Sequence, residues 1–149
     1  MKWIDIPPVW LVGFATLAWL QSTYLPLGLS LAGGFSDFVS AVLIGGGVIL
    51  MLLAANEMRR MRTTIIPHLE ADKLVSSGIF KRSRNPIYLG DVLILAGLAL
   101  KWDAVLALVL VPLLLWILER RFVIPEENRL RRKFRADFAR YCEKTRRWI

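Results

Sequence analysis

The sequence predicts an all-α integral membrane protein with four transmembrane helices, the last two forming a tight hairpin, and a C-terminal amphipathic helix. No charged side chain occurs within Ile6–Ser36 or within Phe38–Asn56. Two further apolar runs follow Asn85 and Asp103. Since the hydrocarbon core of a bilayer is about 30 Å thick, a helix needs about 20 apolar residues to cross it. Both uncharged blocks meet that requirement.

The first two spans occupy the N-terminal part of the chain. We expect span one at Pro8–Leu31, as a retained helix rather than a signal peptide, because the uncharged block is too long and only Lys2 precedes it as a basic residue. Gly33–Asp37 reads as a turn without basic residues, and span two follows at Phe38–Glu57. The glycines of Gly45–Gly47 predict close contact with another membrane helix.

A polar loop and a helical hairpin come next. The Met58–Arg84 loop is long for a small bundle, and such loops are often functional. Span three, Pro86–Leu100, begins with a proline suited to a first helical turn and is only about 22 Å long. This shortness predicts that its polar beginning lies near the cytoplasmic head groups. Lys101–Asp103 forms the turn to span four, Ala104–Ile124, where Pro112 predicts a kink.

The polar C-terminal segment predicts an amphipathic helix over Glu126–Tyr141. Glu126 and Glu127 stand in its first turn, where negative charge favours the helix dipole. An apolar stripe at helical spacing is formed by Leu130, Phe134, Phe138 and Tyr141. We expect this helix to fold back over the start of span three, bringing Glu126 and Glu127 close to Asn85 and Tyr88.

The chain therefore reads as one membrane domain in four parts. Residues 1–57 carry the two N-terminal spans and residues 58–85 the cytoplasmic loop. Residues 86–124 form the helical hairpin, and residues 125–149 form the cytoplasmic amphipathic helix and tail.

The positive charge points to a membrane surface rather than to nucleic acid. The formal net charge is +8, with seven basic residues between Met58 and Asn85 and eleven after Leu118. Both groups flank predicted spans, so the positive-inside rule places them, and both termini, in the cytoplasm. We expect membrane lipids as partners and no nucleic acid. With one cysteine, Cys142, and one histidine, His68, no metal site is predicted.

A polar cluster at the mouth of span three is the strongest functional signal. The segment Ser83–Asp91 combines arginine, asparagine, tyrosine and aspartate at the start of an apolar run. Polar side chains in a membrane are costly and usually mark a site. Tyr88 and Asp91 share one helix face, and Asp91 is expected to point into the bundle, as a catalytic group or as the partner of a loop arginine. Arg84 is expected to bind a carboxylate of a cofactor or substrate, or to anchor in the head groups.

These residues resemble a known family. The stretch Leu74–Gly90, with its Arg-Asn-Pro-x-Tyr-x-Gly pattern at 84–90, resembles the motif of the isoprenylcysteine carboxyl methyltransferase superfamily. Glu126-Glu127, followed by Leu130, Phe134 and Tyr141, resembles its C-terminal signature. Phosphatidylethanolamine N-methyltransferases are related membrane enzymes. Asn85 stands where the family often has histidine, and Gly78-Ile79-Phe80 replaces its usual Gly-Pro-Tyr.

The resemblance implies a membrane enzyme that transfers a methyl group from S-adenosyl-L-methionine to a lipophilic acceptor at the cytoplasmic membrane face. The expected catalytic residues are Arg84, Asp91 and Glu127. The expected cofactor-binding residues are Asn85, Pro86, Tyr88, Leu89, Gly90, Glu126, Glu127 and Tyr141. Which of the two glutamates faces the cofactor stays open.

Several alternatives remain at this point. The acceptor is an isoprenylcysteine-type carboxylate or another lipid, or a lipid amine, which would make the protein an N-methyltransferase. An Arg140-Tyr141-Cys142 sequence also echoes membrane sterol reductases, which bind NADPH. A non-catalytic membrane subunit with a basic tail is the non-enzymatic alternative. The expected location is the inner or plasma membrane of a prokaryote, as a multi-pass protein.

Overall fold

The computed structural model describes residues 5–28, 30–62 and 74–149, and all regular structure in these residues is helical. This confirms the predicted all-α class. The described residues form six α-helices: α1 (Pro7–Tyr24), α2 (Gly34–Arg60), α3 (Pro86–Lys101), α4 (Leu110–Leu118), α5 (Ile124–Phe134) and α6 (Ala136–Lys144). Short 3₁₀ segments lie at Gly78–Lys81 and Leu106–Val109, and a π segment at Glu119–Val123 joins α4 to α5.

Helix α2 is the one helix of the described residues that is long and apolar enough to cross a membrane on its own. It has 27 residues and a mean hydropathy of 2.5 over its most apolar window. Helix α1 has 18 residues and α3 has 16. The structure thus supports one clear membrane-type helix, and the four-span arrangement remains a prediction.

The first two helices have different bounds from those predicted. Helix α1 ends at Tyr24 rather than Leu31, since Pro26 follows directly and the residue before a proline avoids helical geometry. Helix α2 begins at Gly34, so most of the predicted Gly33–Asp37 turn is helical. The predicted loop Met58–Arg84 begins only after Arg60; its residues 63–73, with His68, lie outside the described part of the chain.

Helices α2 and α3 cross at very short distance, and small residues make this possible. A Cβ atom added at Gly47 would lie 2.7 Å from the Gly90 carbonyl oxygen. One added at Gly45 or Gly46 would meet nothing within 4 Å. Near the other end of the crossing, Ser40 Oγ donates a 2.7 Å hydrogen bond to the Gly97 carbonyl. The predicted close contact of the glycine triplet is therefore made by Gly47.

Two turns meet at one end of the bundle. The α3 helix ends at Lys101, and Asp103 adopts a positive φ of 54° in the turn that follows. Its carboxylate accepts hydrogen bonds from Ser30 Oγ (2.6 Å) and from the Leu31 backbone N–H (2.7 Å). The segment between α1 and α2 is thereby fastened to the turn after α3.

Helix α4 continues through the π segment into α5, across the predicted boundary between span four, which ends at Ile124, and the amphipathic helix from Glu126. The Ile124 N–H bonds to the Glu119 carbonyl, five residues back, in the π segment. Pro125 has no N–H and cannot continue the ordinary i to i−4 pattern, and the wider π turn before it accommodates the ring. Pro112 lies in the first turn of α4, close behind a 3₁₀ segment, and the predicted kink there stays a prediction.

The amphipathic helix predicted over Glu126–Tyr141 is two helices. Arg135 separates α5 from α6 with a φ of 45°, a conformation that no helix continues. The apolar stripe nevertheless packs as one cluster: Phe138 and Tyr141 are buried with Phe80, and Leu130 and Phe134 flank them. The predicted single helix folding back over the start of span three is wrong, because α5 continues from α4 and Arg135 separates α5 from α6.

Candidate active site

The segment before α3 is held by its own side chains and by the C-terminal tail. Ser83 Oγ accepts a 3.1 Å hydrogen bond from the Asn85 N–H. The Asn85 side chain is buried and its Nδ2 donates to the Arg147 carbonyl at 3.0 Å. Pro86, also buried, opens α3 as predicted. Asn85 thus serves in this structure to join the loop to the tail.

The Arg84 side chain points into the protein. Its Nη1 lies 3.1 Å from Glu127 Oε1 and 2.9 Å from Cys142 Sγ, and the side chain is only 14% exposed. Its Nε is buried without a hydrogen-bond partner among the described residues. Arg84 therefore pairs with a carboxylate of the protein itself, and its binding of a cofactor or substrate carboxylate stays a prediction.

Glu127 is enclosed by two arginines. Arg147 donates to both of its carboxylate oxygens, from Nε to Oε1 at 3.0 Å and from Nη2 to Oε2 at 2.8 Å. Together with Arg84, three charge-assisted bonds converge on one side chain that is 6% exposed. Arg147 also pairs with Glu119. The hydrogen bonds from Arg147 to Glu127 raise the pKa of this guanidinium above its usual value.

Glu126 has different surroundings from its neighbour. Its Oε2 accepts a 2.9 Å hydrogen bond from the Tyr88 hydroxyl, and its side chain is half-buried. The Tyr88 ring packs beside Phe122, with ring centroids 6.2 Å apart. The two glutamates thus lie next to the start of α3, as expected, but only Glu126 contacts Tyr88.

Asp91 is fully buried inside the bundle. Its exposed fraction is 0%, and neither carboxylate oxygen has a hydrogen-bond partner among the described residues. The predicted inward orientation is observed, whereas the predicted loop arginine is not a hydrogen-bond partner: Arg84 pairs with Glu127 instead. A buried carboxylate without a partner is costly, which suits a side chain that meets a cation or a proton during function.

Three predicted cofactor residues have mainly structural surroundings. Gly90 lies at the α2–α3 crossing, where an added Cβ atom would come within 2.7 Å of Gly47 O and of Met51 Cγ. Leu89 is half-buried in the first turns of α3. The Tyr141 hydroxyl donates a 2.6 Å hydrogen bond to the Phe80 carbonyl, and burial raises the pKa of this phenol.

An open cavity of about 730 Å³ lies beside Tyr141. Its volume is in the range of small-molecule pockets. Its lining comprises Leu74, Ser76, Lys81, Phe134, Asp137, Arg140, Tyr141, Lys144 and Thr145. Of the predicted cofactor residues, Tyr141 alone appears in this lining.

Two residues of the site have contacts that the sequence did not predict. From the sequence, the tail arginines Arg146 and Arg147 are expected to hold an anionic acceptor or to bind lipid, and no role is expected for Glu119. Arg147 joins Glu127, Glu119 and Asn85 although it lies in a basic tail where one arginine looks like the next. Glu119 stands at the end of an apolar helix, and that position is a usable signal, since a carboxylate at a membrane boundary needs a cation. The spacing of these residues in the sequence does not show that Arg147 pairs with Glu119 and Glu127.

Comparison with known families identifies the chain. A family model described as "Phospholipid methyltransferase" matches residues 35–137. The chain belongs to the phospholipid methyltransferase family. This confirms the resemblance to the isoprenylcysteine and phospholipid methyltransferase superfamily. No curated protein and no solved structure gives a significant match.

Family membership is consistent with the site and with a membrane location. The matched region runs from α2 into α6 and contains the contacting residues Arg84, Tyr88, Glu126 and Glu127. Proteins of the phospholipid methyltransferase family are membrane methyltransferases and generally use S-adenosylmethionine. Membership therefore indicates methyl transfer as the activity class, and the apolar helix α2 supports membrane association.

Proposed function

We propose that this protein transfers a methyl group from S-adenosyl-L-methionine to a lipophilic acceptor at the cytoplasmic membrane face. The observation that carries the proposal is the Tyr88–Glu126 hydrogen bond beside the buried Arg84–Glu127 pair. A protein that only filled space in a membrane would have no need for this polar network. All four residues lie within the family match.

The residues of the site fit this cofactor. S-adenosylmethionine carries a sulfonium, an ammonium and a carboxylate. Glu126 is half-buried and Asp91 has no hydrogen-bond partner among the described residues, so both carboxylates suit a cationic ligand. The unpartnered Nε of Arg84 is a donor for a carboxylate. Since Glu127 already accepts three arginine bonds, we assign the ammonium to Glu126.

When bound, the cofactor supplies an electrophilic methyl group on its sulfonium sulfur. The protein's contribution is to align the acceptor and to exclude water, since an in-line displacement depends on orientation and on a desolvated nucleophile. Tyr88 and Phe122 form an apolar wall next to Glu126. Asn85, Pro86, Leu89, Gly90 and Tyr141 complete the proposed cofactor-binding set, and Arg84 and Asp91 form the proposed catalytic set. Glu127, expected from the sequence to be catalytic, is proposed to position the turn that carries Glu126, because Arg84 and Arg147 occupy its carboxylate.

Among lipophilic acceptors, the buried carboxylates favour an amine over a carboxylate. An acceptor carboxylate next to Asp91 would be repelled, whereas an ammonium group would be attracted. The ammonium must lose one proton before its nitrogen lone pair can form a bond to carbon. We propose that Asp91 takes this proton, which a buried carboxylate without a hydrogen bond in the described structure accepts readily.

We also propose that four segments span the membrane and that both termini are cytoplasmic. The two turns joined by Asp103 lie at one end, where Lys101 is the sole basic residue nearby in sequence. The arginines paired with Glu127 lie at the other end, in the basic segments. This division follows the positive-inside rule.

A methyl-transfer assay tests the proposal. The purified protein, in lipid nanodiscs, receives S-adenosylmethionine labelled in its methyl group, with either phosphatidylethanolamine or a prenylated cysteine as acceptor. We expect label in the amine lipid, and a strong loss of transfer in Glu126→Gln. Label in the prenylcysteine alone would contradict the amine assignment. Absence of label from both would contradict the reaction.

A further inference from the structure

The C-terminal tail lies along the loop before α3 and is bonded to it at several points. The Arg84 N–H donates to the Arg146 carbonyl at 3.0 Å. The Arg147 carbonyl accepts from Asn85 Nδ2 at 3.0 Å, and Thr145 Oγ1 donates to the Lys81 carbonyl at 3.3 Å. This backbone arrangement brings the Arg147 side chain to one defined place.

The Arg147 side chain lies between two carboxylates, one at the start of the π segment and one beyond its end. Glu119 is the first residue of the segment, and Glu127 follows it in α5. Arg147 bonds to both, reaching Glu127 with two nitrogens. A single guanidinium thus ties the end of α4, the start of α5 and the loop before α3 together.

Glu126 is the neighbour of Glu127, so whatever fixes Glu127 also fixes the turn that presents Glu126 to Tyr88. π segments break the regular helical register and are often found at functional sites. The hydrogen bonds of Arg147 to Glu119 and Glu127 join the tail to this junction.

We propose that Arg147 is a positioning residue for the methyl-transfer site, acting through Glu127 to hold the turn that carries Glu126. The proposal rests on the function proposed above for Glu126. Arg147 itself is not required to touch cofactor or acceptor. Its role depends on the planar fork of the guanidinium, which bonds two carboxylates at once, whereas a lysine ammonium acts as a point charge.

Arg146 provides a matched control. It is the adjacent residue with the same charge and a similar distance from the chain end, but its side chain is exposed and has no ion pair among the described residues. The contact it makes to Arg84 uses its backbone carbonyl, which a side-chain substitution retains.

The experiment compares Arg147→Ala, Arg147→Lys and Arg146→Ala in the full-length protein in detergent. We expect Arg147→Ala to raise the dissociation constant of S-adenosylmethionine about tenfold or more, the scale of one lost charge-assisted hydrogen bond. The affinity of Arg147→Lys for S-adenosylmethionine should lie between those of wild type and Arg147→Ala. Arg146→Ala should leave this affinity unchanged. Millimolar methylguanidine should partly restore the affinity of Arg147→Ala. Equal affinity in Arg147→Ala and wild type would overturn the proposal.

Two further readouts separate this proposal from the function on which it rests. In a double-mutant cycle, Arg147→Ala should add little to the effect of Glu127→Gln if it acts through Glu127. Additive effects would contradict that route. Hydrogen exchange without cofactor should be faster at residues 119–127 in Arg147→Ala but not in Arg146→Ala. If the wild type bound no cofactor, the proposed function would be contradicted. The exchange comparison would still show whether Arg147 holds residues 119–127 in place.

Discussion

At the scale of single residues, the two adjacent glutamates at the start of α5 show how neighbours acquire different tasks. Glu127 is 6% exposed and surrounded by arginine donors, whereas Glu126 is half-buried and bonded to a tyrosine hydroxyl. Removing the Glu127 charge leaves Arg84 and Arg147 close together without their common partner.

We therefore predict opposite effects for two matched substitutions. Glu127→Gln should lower the free energy of unfolding by about 2–3 kcal/mol, because it removes a charged acceptor from buried hydrogen bonds. Glu126→Gln should leave stability nearly unchanged but weaken S-adenosylmethionine binding. Thermal unfolding in detergent and calorimetric titration measure the two quantities. Equal loss of stability in both variants would show that the environments do not differ as described.

Tyr141 gives a second prediction at this scale. Its hydroxyl donates to the Phe80 carbonyl at 2.6 Å in a buried position, so Tyr141→Phe should cost about 1 kcal/mol of stability. Tyr24 is 69% exposed, and Tyr24→Phe serves as the control that should change nothing. Thermal unfolding of both variants is the measurement. Weakened cofactor binding in Tyr141→Phe would additionally support its place in the proposed cofactor site.

Asp103 predicts a pH dependence. Hydrogen bonds from the Ser30 hydroxyl and the Leu31 N–H lower the pKa of this carboxyl. A lowered folded-state pKa stabilises the protein above the ordinary aspartate value of about 3.9, and the contribution is lost as the pH falls through the folded-state pKa. Unfolding temperatures of wild type and Asp103→Asn should converge as the pH falls below the ordinary aspartate pKa of about 3.9. A constant difference across this range would exclude Asp103 as the cause.

At the scale of helices, the α2–α3 crossing depends on one glycine of a triplet. Gly47→Ala would push a Cβ atom against the Gly90 carbonyl, which is backbone and has little freedom to move. We predict a loss of about 1–3 kcal/mol, as for other overpacked contacts. Gly45→Ala is the control, since its Cβ atom would meet nothing within 4 Å. Similar stability of the two variants would contradict the described crossing.

The same helices show what sequence patterns predict well. The start of α3 at Pro86 and its end near Lys101 were predictable, because a proline opens a helix and a polar turn closes it. The continuity from α4 into α5 was not predictable, because a proline usually interrupts a helix and a π segment has no sequence signature. The division at Arg135 was equally hidden, because the apolar stripe keeps its helical spacing across the break.

The candidate site was likewise predictable in part. Sequence placed Arg84, Tyr88 and the glutamate pair in one region, because each stands at the polar end of an apolar run. It did not distinguish Glu126 from Glu127, since the difference comes from Arg147, a residue distant in sequence. Long-range pairing of arginines in a basic tail is decided by the tertiary fold.

At the scale of the whole molecule, the fold separates two polar ends across an apolar middle. Asp103 joins the turns at one end, and the arginine–glutamate network lies at the other. Along the apolar segments between these ends, residues such as Phe38, Leu52 and Val109 are more than half exposed. These exposed apolar side chains suit contact with lipid.

This separation predicts the membrane topology. In a Cys142→Ser background, Lys101→Cys should react with an impermeant thiol reagent added outside intact cells. Lys144→Cys should react only after the membrane is opened. Both positions are exposed in the structure, so lack of labelling reflects the membrane rather than burial. Labelling of Lys144→Cys in intact cells would place the tail outside and contradict the assignment.

The proposed site binds S-adenosylmethionine at the start of α3 and α5. The most direct test is a calorimetric titration of the purified full-length protein in detergent with S-adenosylmethionine and, separately, with NADPH. We predict saturable binding of S-adenosylmethionine that is lost in Glu126→Gln, and no binding of NADPH. Binding of NADPH, or of neither compound by a folded protein, would contradict the account.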